Sequence, residues 1–374
     1  MTGTPTELER LSLELLGIES VIGEERTIAD HCEAWARERG VYGIVRAGDN
    51  LAIQPCAFEN DRRRVLLLGH LDTVPRSRGD ANEPRLEGDR IHGLGASDMK
   101  CADAILLRLC ERAVRQRPRH DLAIVLYARE EGPFSESGMP EILSAAPGCF
   151  SQIDLAIAME PTDNRFELGC LGTMHARVRF AGKRAHSARP WQGHNAIHRA
   201  APLLSALAAL EPRDCEYHGL VFREVCSATM IEYEGARNVV PGACTVNLNF
   251  RFAPDRSIDE ASQWVHDFVH DAVGPDVFAE HVEIEIVDAC PAGRVCGDNE
   301  LYLELRGLMS DAEVVAKQAW TDVGRLSQYG LDAINFGPGH TAQAHQIGEF
   351  ASRRLLEESE RVLVRWLWGE DDER

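Results

Sequence analysis

The segment VLLLGHLDTVP, residues 65–75, places an unbroken apolar run directly before a histidine and an aspartate. A run of about four to eight apolar residues without alternation is typical of a strand buried on both faces of a parallel sheet. Two more such runs follow at 122–127 and 155–159. Between the first two runs, apolar residues from Met99 to Ala113 recur at helical spacing. The order strand, helix, strand therefore predicts a doubly wound α/β domain.

The pattern changes near residue 174. Residues 175–180, 243–252 and 282–287 alternate between apolar and polar side chains, and residues 195–210 show helical spacing. Alternation predicts strands with one solvated face, which are typical of an antiparallel sheet that carries helices on its other face. This part of the chain is therefore expected to form a separate α+β unit.

Buried-strand character returns beyond residue 288, at residues 333–336, and residues 350–368 are predicted to form the last helix. The simplest organisation is a metal-binding catalytic domain made of residues 1–173 and 288–374. Residues 174–287 would then form a domain inserted into it, acting as a lid and in dimerisation.

Composition excludes several classes of function. The chain has 374 residues with 40 basic and 60 acidic side chains, a net charge of −20, which opposes binding to nucleic acid or to an anionic membrane. No apolar run is long enough to predict a membrane span. The eleven cysteines contain no CxxC pair and lie in apolar stretches, as reduced thiols do. Together with an N-terminus that does not read as a signal peptide, they predict a cytoplasmic protein.

Imidazole and carboxylate side chains follow the predicted buried strands or lie in nearby loops: His70, Asp72, Asp98, Glu130, Glu131, Glu160 and His345. Taken singly, each has an ordinary structural explanation. A His-x-Asp sequence is common in surface loops, Asp98 fits the N-cap of the helix that follows it, and adjacent acids usually form a solvated pair.

The spacing favours a shared site. His70, Asp98, Glu131 and Glu160 follow one another at intervals of about 30 residues, close to the length of one βα unit. Each side chain is therefore expected at the carboxyl end of a successive strand, where open α/β sheets place their sites. A mixture of imidazole and carboxylate suits zinc, cobalt or manganese, so these residues predict a metal centre.

At this point the sequence resembles the M20 metallopeptidase family and, within it, the succinyl-diaminopimelate desuccinylase group. The matching motifs occur in the family's order and span residues 7–350. They are GHLDTVP, GLGASDMK, REEG, MEPT, RAHSARPWQGHNAIHRAAP, RNVVP, NFRFAPD, WTDVGR and AHQIGE.

The resemblance implies a role for each proposed ligand. His70 and Glu160 correspond to ligands of one metal ion, and Glu131 and His345 to ligands of a second. Asp98 corresponds to a carboxylate that bridges both ions, and the family places a cis peptide bond after it. The implied cofactors are two divalent ions, Zn²⁺ in the first place, with Co²⁺ and Mn²⁺ as alternatives.

The resemblance also implies roles for residues around the metals. Asp72 matches the partner of the histidine ligand, and Glu130 matches the general base. The family's inserted domain mediates dimerisation and sends a histidine into the partner's site, so a homodimer is expected, with His186 as that residue. Residues that match substrate contacts are Asn238, Arg251 and Thr321.

Two residues near His345 receive structural interpretations. His340 is interpreted as a loop residue, because it lies outside the family position. Glu349 is interpreted as a cap of the last helix or as a support for His345. Neither is expected to bind metal.

The implied reaction is hydrolysis of N-succinyl-LL-2,6-diaminopimelate to succinate and LL-2,6-diaminopimelate, a step of lysine biosynthesis. The segment GCLGTMH, residues 169–175, lacks a basic pair found in many desuccinylases, which leaves Arg189, Arg251 and Arg325 as candidate carboxylate-binding residues. Alternatives within the fold are an acetylornithine-type deacetylase, an aminoacylase and a carboxypeptidase. A non-catalytic binding relative is a more distant alternative.

Overall fold

The computed structural model describes residues 4–78 and 83–369. The chain divides into two compact units. The first consists of Met1–Gly169, Arg294–Val315 and Thr321–Arg374, and the second of Cys170–Gly293 and Ala316–Trp320.

The helices and strands fall into three groups along the chain. Those before Cys170 are α1 Glu7–Leu16, α2 Arg26–Glu38, β1 Ile44–Ala47, β2 Asn50–Ile53, β3 Arg64–His70, β4 Arg85–Glu87, β5 Arg90–His92, α3 Cys101–Arg115, β6 Asp121–Tyr127, α4 Met139–Ala145, α5 Pro147–Phe150, β7 Leu155–Ala158 and β8 Phe166–Leu168. Those of the segment Cys170–Gly293 are β9 Gly172–Ala181, β10 Ala185–His186, α6 Ala196–Ala208, β11 Arg213–Tyr217, β12 Leu220–Glu234, β13 Val239–Val240, β14 Ala243–Phe252, α7 Ile258–Val273, α8 Pro275–His281 and β15 Val282–Cys290. The remainder are α9 Glu300–Gly307, β16 Val314–Ala316, α10 Val323–Gln328, β17 Ala333–Asn335, β18 Phe350–Ser352 and α11 Arg353–Trp368.

The second unit begins before residue 174 and ends after residue 287, the limits expected from the alternation. The difference arises because β9 already begins at Gly172 and β15 continues to Cys290. The catalytic and dimerisation roles of the two parts stay predictions.

An eight-stranded mixed sheet forms the centre of the first unit, in the order β1-β2-β6-β3-β7-β17-β8-β16. The neighbours β6, β3, β7 and β17 run parallel, whereas β2 and β8 pair antiparallel at the two sides of this group. Every residue of β3, β6 and β7 is buried, as expected for strands covered on both faces. The predicted α/β fold is confirmed.

The carboxyl ends of the parallel strands position the candidate site. β3 ends at His70, and the loops after β6, β7 and β17 carry Glu131, Glu160 and His345. The expectation from the spacing was wrong for Asp98, which lies in the turn between β5 and α3 and does not follow a strand of this sheet. Gly69 lets α3 approach β3 closely, since a Cβ on Gly69 would lie 2.2 Å from Asp103 Oδ1. A larger residue at this position would therefore displace the strand end that holds His70.

A five-stranded antiparallel sheet forms the second unit, in the order β11-β12-β14-β9-β15. Burial alternates residue by residue along β14. The buried side chains of β14 and β9, such as Val246, Leu248 and Val178, share a core with Ala200 of α6 and Val265 of α7. The expected α+β unit with one open sheet face is confirmed.

Two local predictions were wrong. Residues 350–352 form β18, which pairs with β5, and the last helix begins only at Arg353, where the Ser352 hydroxyl accepts a hydrogen bond from the Leu355 amide. Asp98 is not a helix cap, because α3 begins at Cys101 and Asp98 has non-helical angles of φ −126° and ψ 88°. It lies in a π-helical turn, Ala96–Lys100, and its peptide bond to Met99 is cis.

Candidate active site and metal centre

Asp98 lies between two histidines that come from distant parts of the chain. His70 Nε2 is 3.0 Å from Asp98 Oδ1, and His345 Nε2 is 3.6 Å from Asp98 Oδ2. His345 Nε2 also lies 2.7 Å from Glu131 Oε1. Each oxygen of the Asp98 carboxylate therefore faces a different imidazole.

Four groups of described side chains present donor atoms within 4.8 Å of one another, and three of them lie in this cluster. One of the three consists of His70, Glu130 and Glu131. The other two contain Asp98: one consists of His70, Asp98 and Glu160, and the other of Asp98, Glu131 and His345. The structure thus brings together all five candidate ligands. Only Asp98 is common to these two groups.

The carboxylates of this cluster are removed from water. Burial raises the pKa of Glu130 well above its ordinary value, and the nearby charge of Glu160 raises it further. Burial also raises the pKa of Glu131, against the opposing effect of its hydrogen bond with His345. Several carboxylates in one dry pocket are costly unless cations neutralise them. The donor set and its electrostatics therefore fit divalent metal ions.

The two imidazoles respond to the same charges. Burial alone lowers the pKa of His70, but interactions with Asp72 and Asp98 outweigh it and raise the pKa well above its usual range. The hydrogen bond with Glu131 raises the pKa of His345 to about 9. Without a cation the cluster would hold protons in place of metals, so metal binding would release them.

Asp72 connects the His70 strand to the turn that carries the two glutamates. Its backbone carbonyl lies 3.1 Å from His70 Nδ1, and its carboxylate Oδ1 lies 3.5 Å from the same atom. The carboxylate also accepts hydrogen bonds from the amides of Glu130, at 3.1 Å, and Glu131, at 2.9 Å. One fully buried side chain therefore orients two candidate ligands, His70 and Glu131, together with the candidate base Glu130.

Two site residues adopt left-handed backbone conformations that are unusual outside glycine. Arg129 has a φ of 61° and His345 a φ of 60°. At Arg129 this turn leads the chain directly into Glu130 and Glu131. The guanidinium lies 3.9 Å from Glu141 Oε2, and this carboxylate accepts a hydrogen bond from Asn50.

Glu349 has a role that the sequence reasoning missed. Its Oε1 accepts hydrogen bonds from the amides of Ser97, at 2.7 Å, and Asp98, at 3.0 Å, while Oε2 accepts one from Gly95 at 2.8 Å. The next residue, Phe350, accepts a hydrogen bond from the Ser97 hydroxyl. Glu349 therefore fixes the turn that presents Asp98 and does not cap the last helix. Its position four residues after His345 was the available signal, but the sequence does not show which amides it meets.

The remaining candidate residues lie apart from this cluster in the chain. His186, Asn238 and Arg251 belong to the second unit. His186 is exposed and accepts a hydrogen bond from the Ala188 amide, and the Asn238 carbonyl accepts one from the Ser187 amide. The catalytic and substrate-binding roles of these residues stay predictions.

Two candidates of the first unit have buried side chains. The Thr321 hydroxyl is hydrogen-bonded to Asn335 Oδ1 at 2.8 Å, and its role in substrate binding also stays a prediction. Arg325 is 4% exposed, and it donates to Asp322 Oδ1 and to the Phe134 carbonyl. Its guanidinium is thus engaged by the start of its own helix, α10, and by the segment that carries Phe134, which leaves Arg189 and Arg251 as the candidate carboxylate-binding residues.

Residues 66–368 match the sequence profile of peptidase family M20/M25/M40. The match covers well over half of the chain, and the chain belongs to this family. The protein is accordingly an M20-family hydrolase, which confirms the resemblance drawn from the motifs. In the part of the chain that the structure describes, no helix is long and apolar enough to cross a membrane.

Curated relatives match over nearly the full length. A putative succinyl-diaminopimelate desuccinylase of Mycobacterium tuberculosis (strain CDC 1551 / Oshkosh) is 40% identical over 347 residues, 92% of this chain and 92% of the relative. The succinyl-diaminopimelate desuccinylase of Corynebacterium glutamicum is 32% identical over 358 residues, 96% of this chain and 95% of the relative. Among solved structures, YXEP of Bacillus subtilis, a dinuclear metal-binding M20 peptidase, shares the fold with a TM-score of 0.70. It is 12% identical and is aligned over 96% of each chain.

The role of Glu349 predicts the effect of Glu349→Gln. The amide has one acceptor oxygen, and its NH₂ group would oppose one of the backbone amides that the carboxylate now receives. We expect a folded protein whose Zn²⁺ affinity is weaker by about 10- to 100-fold. A competition titration of metal-free protein against a chromophoric chelator measures this affinity. Glu357→Gln, an exposed position on α11, is the control, and equal affinities of the two variants would contradict the positioning role.

Proposed function

We propose that the protein hydrolyses the amide bond of an N-acyl amino acid, specifically N-succinyl-LL-2,6-diaminopimelate. The products would be succinate and LL-2,6-diaminopimelate, in lysine biosynthesis. The observation that carries the proposal is the cluster in which Asp98 is shared by two groups of imidazole and carboxylate donors. The desuccinylase relatives, at 40% and 32% identity, support the substrate.

The proposed cofactors are two divalent cations, with Zn²⁺ preferred over Co²⁺ and Mn²⁺ as in the resemblance. His70 and Glu160 would hold one ion, Glu131 and His345 the other, and Asp98 both. The grouping of donor atoms and the two metals of the YXEP relative support this assignment. When bound, such ions polarise the scissile carbonyl and lower the pKa of a water molecule.

Glu130 is the proposed general base. Its amide is held by Asp72, and burial together with the charge of Glu160 raises the pKa of its carboxyl group. A carboxylate with a raised pKa is suited to accept the proton of the attacking water. The same carboxyl group would then return that proton to the amide nitrogen as the carbon–nitrogen bond breaks. The products are a carboxylate and a free amine.

His186 is the proposed donor to the oxyanion that forms on the substrate carbonyl. Such a donor often contributes about 3 kcal/mol to the stabilisation of the transition state. By the family resemblance this histidine comes from the other subunit of a homodimer. Its exposure within its own chain is consistent with that role.

The edge of strand β12 supports the proposed homodimer. β11 pairs with Leu220–Glu224 only, so among the described residues the outer edge of β12 is unpaired beyond this range. Exposed apolar side chains lie there, with Ile231 53% and Tyr233 63% exposed. An unpaired edge with apolar side chains is a template for pairing with another strand. A second copy of this chain would cover it.

The dimer proposal predicts the effect of Ile231→Asp. A charge at this edge should oppose association, so sedimentation equilibrium should show a native dimer and a largely monomeric variant. Val221→Asp is the matched control, because Val221 is also exposed but lies in the part of β12 that β11 pairs. If the native protein were a monomer with full turnover, both the proposed homodimer and the proposed catalytic role of His186 would be wrong.

The cysteines support the proposed cytoplasmic location. Ten of the eleven are buried, and Cys56 is partly exposed. Buried cysteines in apolar surroundings behave as small hydrophobic side chains, which suits a reducing compartment.

The acyl group of the substrate has a second candidate besides succinyl. Cys170 and Leu171, in the segment without the basic pair, are buried and carry no cationic group. This observation favours retaining an N-acetyl substrate as the second candidate, as in an acetylornithine-type deacetylase. Activity as an aminoacylase or a carboxypeptidase ranks below these two, and a non-catalytic binding role ranks last.

A substrate panel on metal-reconstituted protein tests the proposed substrate. We expect kcat/KM for N-succinyl-diaminopimelate to exceed that for N-acetylornithine and for a dipeptide by at least about tenfold, which corresponds to about 1.4 kcal/mol. Steady-state kinetics under one set of conditions measures all three. A smaller preference would contradict the substrate assignment while leaving amide hydrolysis in place, and absence of any turnover would favour the non-catalytic role.

The role of Glu130 predicts the effect of Glu130→Gln. The variant should bind the same amount of metal as the native protein but lose at least about 100-fold in kcat, since general base catalysis contributes at least this much. Metal analysis and steady-state rates measure the two properties separately. Glu136→Gln, an exposed neighbour, is the control. A Glu130→Gln variant with native turnover would refute the assignment.

A further inference from the structure

The sheet of the second unit has a polar open face. Asn247, Asn249 and Arg251 alternate along β14 with Val246, Leu248 and Phe250, which lie in the core under α6 and α7. Pairing with β9 places Asn249 opposite His175 and Arg251 opposite Thr173. Side chains that are opposite in an antiparallel pair lie on the same face and interact. These residues therefore form one polar surface.

A chain of hydrogen bonds runs across this face and ends at Arg251. Asn247 Nδ2 lies 2.7 Å from Thr229 Oγ1 and 3.2 Å from His175 Nδ1. On the other side of the ring, Asn249 Nδ2 lies 2.8 Å from His175 Nε2. Asn249 Oδ1 accepts a hydrogen bond from Arg251 Nε at 3.1 Å. The order is thus Thr229, Asn247, His175, Asn249 and Arg251.

Arg251, the donor at the end of this series of hydrogen bonds, determines which atom donates in each of the other hydrogen bonds. Arg251 Nε–H can only donate, so the oxygen of Asn249 must face it and the NH₂ group of Asn249 must face His175. Nε2 of His175 is then an acceptor, and the proton of the neutral ring is on Nδ1. In the structure Asn247 Nδ2 faces Nδ1 of the ring and donates to Thr229 Oγ1. Exchange of the amide oxygen and nitrogen of Asn247 would let that oxygen accept from both Nδ1–H and the Thr229 hydroxyl.

A neutral ring at His175 is consistent with its surroundings. Burial lowers the pKa of His175, and the positive charge of Arg251 lowers it further. The opposing charge is Asp288 of β15, which stands opposite His175 in the sheet. A second proton on the ring would place N–H groups face to face with Asn249 and disturb its bond to Arg251.

Arg251 is a half-buried cation, and the thiols of Cys290 and Cys170 lie near enough to influence its pKa. Within residues 4–78 and 83–369 its side chain has one hydrogen bond, from Nε to Asn249 Oδ1, and no ion pair with a carboxylate. Burial lowers the pKa of the guanidinium, so its charge is held at an energetic cost. The two terminal amino groups of the guanidinium are therefore available for a carboxylate, which they can bind in a bidentate manner.

We propose that His175 is the positioning residue of a carboxylate-binding subsite on this sheet, in which Asn249 transmits its orientation to Arg251. The ligand is the free carboxylate of a dicarboxylic acyl group, such as N-succinyl. This inference rests on the proposed function for its substrate, and it assigns to His175, Asn247 and Asn249 the task of orienting the guanidinium. The subsite would distinguish N-succinyl from N-acetyl substrates, since an acetyl group has no second carboxylate.

The test compares His175→Phe with His175→Gln. Phenylalanine removes both ring nitrogens, whereas glutamine restores one acceptor towards Asn249 and one donor towards Asn247. For the N-succinyl substrate, His175→Phe should lower kcat/KM by about tenfold or more, mainly through KM, because Asn249 would no longer be held in the orientation that positions Arg251. For an N-acetyl substrate the change should stay within about twofold, and His175→Gln should recover most of the loss.

A matched control comes from the same face. Arg179→Ala removes an exposed arginine that pairs with Glu283 and stands opposite Thr245, and it should leave kcat/KM for both substrates unchanged. Thermal melting of each variant shows whether the sheet is intact. Calorimetric titration of the metal-reconstituted protein with succinate and with acetate provides a readout that does not depend on turnover.

The outcomes separate the inference from the proposed function. If native protein does not prefer the N-succinyl substrate, the substrate proposal fails, and weaker succinate binding by His175→Phe would still support the subsite. If native protein prefers that substrate and binds succinate, yet His175→Phe changes neither property, the inference is overturned. An equal loss for N-succinyl and N-acetyl substrates would also overturn it, because that result indicates a general structural role.

Discussion

The position of the Asp98 carboxylate is the constraint on which the rest of the site depends. Its two oxygens face His70 and His345, so both groups of donors require it in the same place. The backbone around it is not regular helix, since Asp98 has extended angles within a π-helical turn. That turn is held from the other end of the chain by Glu349, which accepts three backbone amides. The candidate metal centre therefore depends on a contact between segments about 250 residues apart.

Burial of several acids in one place is the main cost of this arrangement. Each carboxylate near Asp98 loses hydration, and the repulsion between Glu130, Glu131 and Glu160 adds to that cost. Asp72 reduces the freedom of this group, because one carboxylate holds the amides of both Glu130 and Glu131. The remaining imbalance of charge is what cations would neutralise. The same features that make the cluster unfavourable without cations therefore favour metal binding.

The sequence was sufficient for the parts of the fold that follow from burial alone. β3, β6 and β7 are apolar at nearly every position, so the ends of these strands and the candidate ligands after them were predictable. Contacts between distant segments of the chain could not be predicted in this way. Phe350–Ser352 forms a strand because it pairs with β5, although the apolar spacing of these residues continues the helical pattern of α11. The partners of Glu349 and the burial of Arg325 likewise depend on loops that only the folded chain brings together.

The most direct test of this account is calorimetric titration of metal-free protein with Zn²⁺. Native protein is expected to show two sites. His345→Ala should retain one of them, because His70 and Glu160 still meet Asp98, whereas Asp98→Ala should lose both. An Asp98→Ala variant that still binds one ion with native affinity would contradict a centre organised around a shared carboxylate.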